Sequence, residues 1–169
     1  FIEYTNPFTA LYDAIRLARG MSYKAALVGL PLGGGKAVIL KPKGSFDRRK
    51  YFLKFGEFVE SLGGRYITAI DSGTSLSDMD IVNEKTRHVA SLSKDNGEPS
   101  YCTATGVLKG IEAAVKYKLN RNNLEGLTVA IQGIGMVGYT LATYLHKMGV
   151  RLIVSDIKAE NCKKAENEL

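Results

Sequence analysis

The chain has 169 residues, 45% hydrophobic and 24% charged, which is the composition of a folded globular protein and excludes a disordered or fibrous one. Its net charge of +6 arises from 23 basic residues interleaved with 17 acidic ones, a mixture that argues against a nucleic-acid partner. The two cysteines lie far apart and outside any metal-ligand spacing, so we expect no disulfide, no metal site and a reducing, cytoplasmic location.

The longest uncharged run, residues 126–145, has the length of a membrane span. It contains four glycines and several polar residues, and it is typical of a strand, a turn and a helix. We therefore expect no contact with a membrane.

The first 119 residues predict alternating helices and short strands. Apolar residues at helical spacing predict a first helix that ends at Gly20, and Asp47 is predicted to cap the second. Ser77 with Asp80 predicts the start of a third helix. In chain order the predicted elements are a helix over residues 6–19, strands over 23–30 and 37–40, a helix over 47–62, a strand over 66–70, a short helix from 77, a loop over 93–99 and a long helix capped by Ser100 or Thr103.

Beyond a polar segment at residues 120–126, the pattern predicts a strand, a helix, a second strand and a second helix. These elements cover residues 128–132, 135–148, 151–155 and 159 onward. They form one βαβ unit, whereas a doubly wound sheet needs several more strands. We therefore expect an α/β fold whose second domain continues beyond this sequence, and whose first domain begins before Phe1.

Residues 133–138 read Gly-Ile-Gly-Met-Val-Gly and match the GxGxxG dinucleotide-binding fingerprint, in its required place between a strand and a helix. In this pattern Gly133 permits the tight turn, Gly135 lets the backbone approach the pyrophosphate, and Gly138 allows close packing of helix and strand. Met136 and Val137 begin the helix, whose N-terminus favours a phosphate. We predict that all five residues bind the cofactor.

Asp156 ends the next predicted strand, 23 positions after Gly133. An acidic side chain at this place accepts hydrogen bonds from the adenosine ribose and repels a 2′-phosphate. The predicted cofactor is therefore NAD, and the neighbouring Lys158 leaves some use of NADP open.

Three consecutive glycines precede Lys36, but Ala37 stands where a phosphate-binding P-loop needs Ser or Thr, so the pattern argues against an NTPase. The glycines leave room for a small ligand, and Lys24 and Asp71 are predicted to lie on strands near the same space. Two adjacent ammonium groups lower one another's pKa, so one can bind a carboxylate while the other exchanges protons. The residues alone equally allow solvated lysines and an aspartate in a turn.

The segments that contain these residues resemble the amino-acid dehydrogenase superfamily of glutamate, leucine, phenylalanine and valine dehydrogenases. The resemblance spans essentially the whole chain and is strongest to leucine dehydrogenases. It rests on residues 21–24 (MSYK), 29–36 (GLPLGGGK), 64–74 (GRYITAIDSGT), 79–80 (MD), 124–135 (LEGLTVAIQGIG) and 152–156 (LIVSD).

The resemblance implies a substrate (dimerisation) domain with a mixed sheet over residues 1–120, and a doubly wound Rossmann domain that binds NAD from residue 121. It also implies a homo-oligomer that oxidatively deaminates an L-amino acid to the 2-oxo acid and ammonia. Leucine or another branched-chain aliphatic amino acid is the expected substrate.

The resemblance also implies roles for particular residues. By position, Lys24 would bind the substrate carboxylate, Lys36 would be the catalytic lysine, and Asp71 would relay protons. The expected substrate pocket further includes Met21, Gly33, Gly34 and Thr103.

Several residues around the expected site depart from the leucine dehydrogenase pattern. They leave open the same reaction on glutamate, phenylalanine or valine, and also a non-catalytic dinucleotide-binding homologue. These residues are Pro31, Ile70, Ser72, Ala90, Tyr101 and Thr105.

Overall fold

The computed structural model describes residues 1–95 and 99–169. The chain divides into two compact units, Phe1–Glu98 and Pro99–Leu169. Part of the loop predicted over residues 93–99 lies outside the described residues, and Ser93–Asp95 form one turn of 3-10 helix.

The described residues of the first unit form three α-helices, α1 (Pro7–Leu27), α2 (Arg48–Ser61) and α3 (Leu76–Asn83). Asn6 caps α1 by accepting a hydrogen bond of 3.0 Å from the Thr9 N–H. As predicted, Asp47 caps α2, where its carboxylate accepts from the Lys50 N–H at 2.9 Å.

Helix α1 continues through Gly20, so both the predicted helix end and the strand predicted over residues 23–30 are wrong. A glycine inside a helix costs about 1 kcal/mol relative to alanine, but it does not by itself end the helix. The helix ends at Leu27, and Gly29, two residues later, has φ +68°. The Gly29 N–H donates to the Ala26 carbonyl and the Leu30 N–H to the Ala25 carbonyl, which is a Schellman termination.

Residues 37–40 and 66–70 form no regular strands, so these two predictions are also wrong. Each segment makes an isolated parallel bridge, Ile2 with Leu40 and Thr68 with Val89. A sheet forms only where a segment pairs with a neighbouring strand along several consecutive residues. Each of these segments pairs with its neighbour at a single residue. Residues 1–95 therefore do not form the mixed sheet expected of the first domain.

Ser75, not Ser77, caps α3. The Ser75 hydroxyl accepts from the Asp78 N–H at 3.3 Å, and the Asp78 carboxylate accepts from the Ser75 N–H at 2.7 Å. Both serines have an aspartate three residues later, so sequence spacing alone did not distinguish them. Phe52 of α2 packs with Met79 and Val82 of α3, and these side chains form a fully buried core.

The second unit contains a βαβ arrangement. Strands β1 (Thr128–Gln132) and β2 (Arg151–Ser155) are parallel, with Thr128 opposite Arg151 and Gln132 opposite Ser155. Both strands have the predicted bounds. The helices of this unit are α4 (Ser100–Leu119), α5 (Met136–Lys147) and α6 (Ala159–Glu168).

Helix α4 does not use either of its predicted caps. Pro99 occupies the N-cap position, and Thr103 lies in the first turn, where its N–H and hydroxyl both donate to the Pro99 carbonyl at 2.9 Å. Helix α4 packs against α5, with Ala104 and Leu145 fully buried. The compact units therefore divide before α4, whereas the predicted domain boundary lies after it; the assignment of functional domains to 1–120 and 121–169 stays a prediction.

The described part of the chain is thus α/β, with a two-stranded parallel sheet. None of the helices in this part combines the length and hydrophobicity that crossing a bilayer requires. Within residues 1–95 and 99–169, no three His, Cys, Asp or Glu side chains are grouped so that they could hold a metal ion.

Candidate functional site

Lys36 and Asp71 form an ion pair in the first unit, although 35 positions separate them in the sequence. The Lys36 Nζ donates to Oδ2 of Asp71. The Lys36 side chain is 23% exposed and that of Asp71 is 54% exposed, so the lysine is the more desolvated partner. The structure therefore brings together the two predicted catalytic residues.

Two features of its surroundings lower the pKa of Lys36. Burial lowers the pKa of the Lys36 ammonium, and the positive charge of Lys24 lowers that pKa further. Lys24 lies in the last turn of α1, exposed and on a helix instead of the predicted strand. A lysine with a lowered pKa can give up its proton nearer neutral pH, which general acid–base chemistry requires.

Asp71 opens a tight turn that orients its carboxylate. The Thr74 N–H and hydroxyl donate to the Asp71 carbonyl at 2.9 and 2.7 Å, and the Asp71 N–H donates back to the Thr74 hydroxyl at 2.9 Å. Gly73 adopts φ +80° in this turn, a conformation that favours glycine. Oδ1 of Asp71 accepts from the Ser72 N–H at 2.7 Å, which leaves Oδ2 facing Lys36.

Packing explains two of the three glycines before Lys36. A Cβ at Gly34 would lie 2.0 Å from the Ala18 carbonyl oxygen of α1, and one at Gly35 would lie 2.7 Å from the ring of Tyr66. Gly33 faces open space, with nothing within 4 Å of such a Cβ. The glycine segment can therefore lie directly against α1, and only Gly33 retains the predicted freedom to face a ligand.

A cavity of about 230 Å³ adjoins the Lys36–Asp71 pair in the first unit. Sequence reasoning missed two of its residues, Tyr4 and Asp13, whose side chains are hydrogen-bonded: the Tyr4 hydroxyl donates to Asp13 at 2.6 Å, and this bond raises the pKa of Tyr4. Asp13 precedes Leu17, another residue that lines the cavity, by one helical turn, and this spacing is the sequence pattern that indicates Asp13. No sequence pattern indicates Tyr4.

The predicted substrate-binding residues do not line this cavity. Met21 lies half-exposed on α1, and Thr103 lies in the second unit with its hydroxyl bonded to Pro99. The roles predicted for Lys24, Met21, Gly33, Gly34 and Thr103 therefore stay predictions.

The predicted dinucleotide turn lies in the second unit between β1 and α5. Gly133 has φ +92°, and its N–H donates to the Ser155 carbonyl at 2.7 Å. A Cβ at Gly138 would lie 2.0 Å from the Gly133 carbonyl oxygen, so helix and turn approach too closely for a side chain there. Gly135 is the N-cap of α5 and supplies no side-chain cap, and Met136 and Val137 are the first two helical residues.

Asp156 lies beside this turn at the end of β2. Its Oδ1 accepts from the Lys158 N–H at 2.8 Å and its Oδ2 from the Ile134 N–H at 2.7 Å; these two bonds hold the pKa of Asp156 below its usual value. Each carboxylate oxygen keeps a lone pair that can accept a ribose hydroxyl. An open cavity of about 640 Å³ adjoins the turn and is lined by Gly133, Gly135 and Asp156 among others, so it combines the glycine turn and the carboxylate that dinucleotide binding uses.

Known proteins are similar to nearly the whole chain. The model of the Glu/Leu/Phe/Val dehydrogenase dimerisation domain matches residues 3–88. A leucine dehydrogenase from Bacillus subtilis (strain 168) is 45% identical over 165 residues, which cover 96% of this chain and 45% of that protein. An L-tryptophan dehydrogenase from Nostoc punctiforme is 43% identical over 167 residues, 96% of this chain and 47% of that protein. The chain thus spans about half the length of the relatives it matches.

Solved structures show the same fold. The crystal structure of L-tryptophan dehydrogenase from Nostoc punctiforme matches 97% of this chain and 46% of its own with a TM-score of 0.67 and 38% identity. A hetero-hexameric glutamate dehydrogenase from Thermus thermophilus matches 92% of this chain and 44% of its own with a TM-score of 0.73, and at 22% identity it supports the fold alone. Because the family model covers half of the sequence and includes both Lys36 and Asp71, the chain belongs to the Glu/Leu/Phe/Val dehydrogenase family.

Proposed function

We propose that the protein carrying this chain is an NAD-dependent amino-acid dehydrogenase. It converts an L-amino acid to the 2-oxo acid and ammonia, and its preferred substrate is leucine or another branched-chain aliphatic amino acid. The observation that carries the proposal is the desolvated Lys36, whose pKa is lowered and which contacts Asp71 beside a cavity.

The proposed reaction assigns a separate task to each charged residue. Lys24, exposed and positively charged, binds the substrate carboxylate. The bound nicotinamide supplies the hydride acceptor, and loss of hydride from Cα leaves an imino acid. Neutral Lys36 takes a proton from the water that adds to the imino carbon, and Asp71 exchanges protons with the nitrogen that leaves as ammonia.

For the cofactor, we propose that residues 133–138 begin a Rossmann domain and hold the pyrophosphate of NAD. The N–H groups at the start of α5, which Gly135 leaves without a side-chain cap, suit a phosphate. Asp156 would receive the ribose hydroxyls on its free lone pairs, and its negative charge would disfavour the 2′-phosphate of NADP.

The choice of an aliphatic substrate has two supports. Leucine dehydrogenases recur among the relatives that match nearly the whole chain. In addition, Ile2, Leu17 and Val38 give the cavity beside Lys36 an apolar wall, while the Asp13 carboxylate would repel an acidic side chain such as that of glutamate.

We also propose that the protein is a homo-oligomer in the cytoplasm. The family model that matches residues 3–88 describes a dimerisation domain, and the two cysteines described are unpaired. Light scattering of the purified full-length protein measures the subunit number, and a monomer would contradict the first part of this proposal.

The test is NADH formation by the full-length protein, supplied separately with leucine, valine, isoleucine, phenylalanine, tryptophan and glutamate. We expect the branched aliphatic amino acids to give the highest kcat/KM. The Lys36→Ala variant should lose nearly all turnover and retain NAD binding, whereas Lys50→Ala, at an exposed position of α2, should behave as wild type. Full activity of Lys36→Ala would refute the mechanism, and no turnover of any amino acid would favour a non-catalytic homologue.

A further inference from the structure

Arg48, the first residue of α2, connects two parts of the first unit. Its Nε donates to Oδ1 of Asp78 at 2.8 Å and its Nη2 to Oδ2 at 2.7 Å, a bidentate pair. The same Nη2 also donates to the Gly73 carbonyl at 3.0 Å. Arg48 therefore bonds at once to α3 and to the turn that begins at Asp71.

Asp78 is a rigid anchor for this contact. Its side chain is 3% exposed, and besides Arg48 it accepts from the Ser75 N–H at 2.7 Å and from the Ser75 hydroxyl at 2.8 Å. A buried carboxylate with this many donors has little freedom to move, because any displacement leaves a charged group unpaired. The Arg48 guanidinium also lies 5.0 Å from the ring centroid of the fully buried Phe52.

The Gly73 carbonyl is two residues beyond Asp71 and inside the turn that Thr74 closes. Movement of this carbonyl turns the peptide units that lead back to Asp71. The Phe1 amino group also donates to the neighbouring Ser72 carbonyl at 2.8 Å, so Arg48 and Phe1 both hold this turn.

We propose that Arg48 is a positioning residue for the Lys36–Asp71 pair and acts through the Gly73 carbonyl. The inference rests on the proposed function, since it concerns the same pair. The titratable groups near Lys36 are Asp71, Lys24 of α1, the Phe1 amino group, and Asp13 and Tyr4 in the lining of the same cavity. Of these groups, Asp71 alone lies in the turn that Arg48 contacts.

The neighbouring Arg49 provides a matched control. Its two terminal nitrogens donate to the two carboxylate oxygens of Glu84, both at 2.8 Å, so it too forms a bidentate pair at α3. Arg49 and Glu84 are 56% and 48% exposed, and among the described residues no hydrogen bond joins them to the Asp71 turn. Arg48→Lys and Arg49→Lys therefore each remove one bidentate pair with a carboxylate, but only the first also removes a bond to the turn.

The experiment compares these two variants in the full-length protein. We expect Arg48→Lys to lower kcat/KM for the amino acid by about 10- to 100-fold, because displacing a reacting group by about 1 Å lowers the reaction rate by up to about 100-fold. The KM of this variant for NAD should be unchanged, and the kcat/KM of Arg49→Lys should stay within about twofold of the wild-type value. Since an opposite charge favours the ammonium form, a displaced Asp71 should also move the acid limb of the pH profile to lower pH.

Two further measurements separate positioning from general stability. In an Asp71→Asn background, Arg48→Lys should add no further loss of kcat/KM, whereas a full additional loss would overturn the proposal. An NMR titration of 13Cε-labelled lysine should show a lower Lys36 midpoint in Arg48→Lys and no change in Arg49→Lys. If Arg48→Lys does not fold, Arg48→Gln replaces it in both measurements.

The titration also distinguishes the two proposals. If the wild-type protein oxidises no amino acid, the proposed function fails, yet a shifted Lys36 midpoint in the Arg48 variant still supports positioning. An unshifted midpoint overturns the inference, whether or not the protein is active.

Discussion

Replacing Gly34 with alanine tests whether packing against α1 sets the path of the chain into Lys36. A Cβ at this position would lie 2.0 Å from the Ala18 carbonyl oxygen, 2.5 Å from the Ser22 backbone nitrogen and 2.3 Å from the Ser22 hydroxyl. The first two atoms belong to the helix backbone and cannot rotate away. The segment must therefore move outward by roughly an ångström or more, at a cost of about 1–3 kcal/mol in the free energy of unfolding.

Gly33→Ala is the adjacent control. Nothing lies within 4 Å of a Cβ at Gly33, and its φ is outside the left-handed region. Its free energy of unfolding should therefore change by no more than about 0.5 kcal/mol.

Thermal unfolding of the two full-length variants measures the difference. At about 2–4 °C per kcal/mol, Gly34→Ala should unfold roughly 2–12 °C below Gly33→Ala. Because Lys36 lies two residues further on, Gly34→Ala should also lower kcat/KM for the amino acid. If the two alanine variants unfold within about 1 °C of each other, the close approach of Gly34 to α1 does not limit this segment, and the reasoning is refuted.

Two further substitutions test the electrostatics of the two candidate sites. Lys24→Met removes a positive charge that lowers the pKa of Lys36, so that pKa should rise and the acid limb of the pH profile of kcat/KM should move to higher pH; an unmoved limb would contradict the coupling. Asp156→Asn removes the negative charge and leaves an amide oxygen that cannot reproduce both bonds to the Ile134 and Lys158 N–H groups. NAD should then bind more weakly and be less strongly preferred to NADP, as isothermal titration with both cofactors would show; an unchanged preference would remove Asp156 from the proposed selection.

Local signals in the sequence predicted most of the second unit. The bounds of β1 and β2 are confirmed, and α5 begins within one residue of its prediction, because apolar strands and a glycine turn are specified by neighbouring residues. The cap of α2 is likewise local, because the Asp47 side chain accepts from a backbone N–H only three positions later. The backbone geometry around Gly133 and Gly138 also agrees with the predicted fingerprint.

The first unit was predicted less well, because its structure depends on contacts between distant residues. Gly20 carried a signal for a helix end, yet the chain turns at Gly29, where the left-handed conformation and two backbone bonds terminate α1. The segments around Leu40 and Thr68 have strand-forming residues but meet a partner only once each. Sequence spacing does not report whether such a partner is present.

Part of the candidate site could likewise be predicted from the sequence, and part could not. Residue type and local spacing predicted a glycine turn for a dinucleotide and made Lys36 and Asp71 candidates for proton transfer, with solvated side chains equally open. The catalytic roles of Lys36 and Asp71 came from the resemblance to the amino-acid dehydrogenases. Only the tertiary structure decided that these two side chains meet across 35 positions, that Tyr4 and Asp13 line the adjoining cavity, and that Arg48 holds the Asp71 turn. The physical reason is range: caps, turns and periodicity act over a few residues, whereas burial and ion pairing depend on which distant segments pack together.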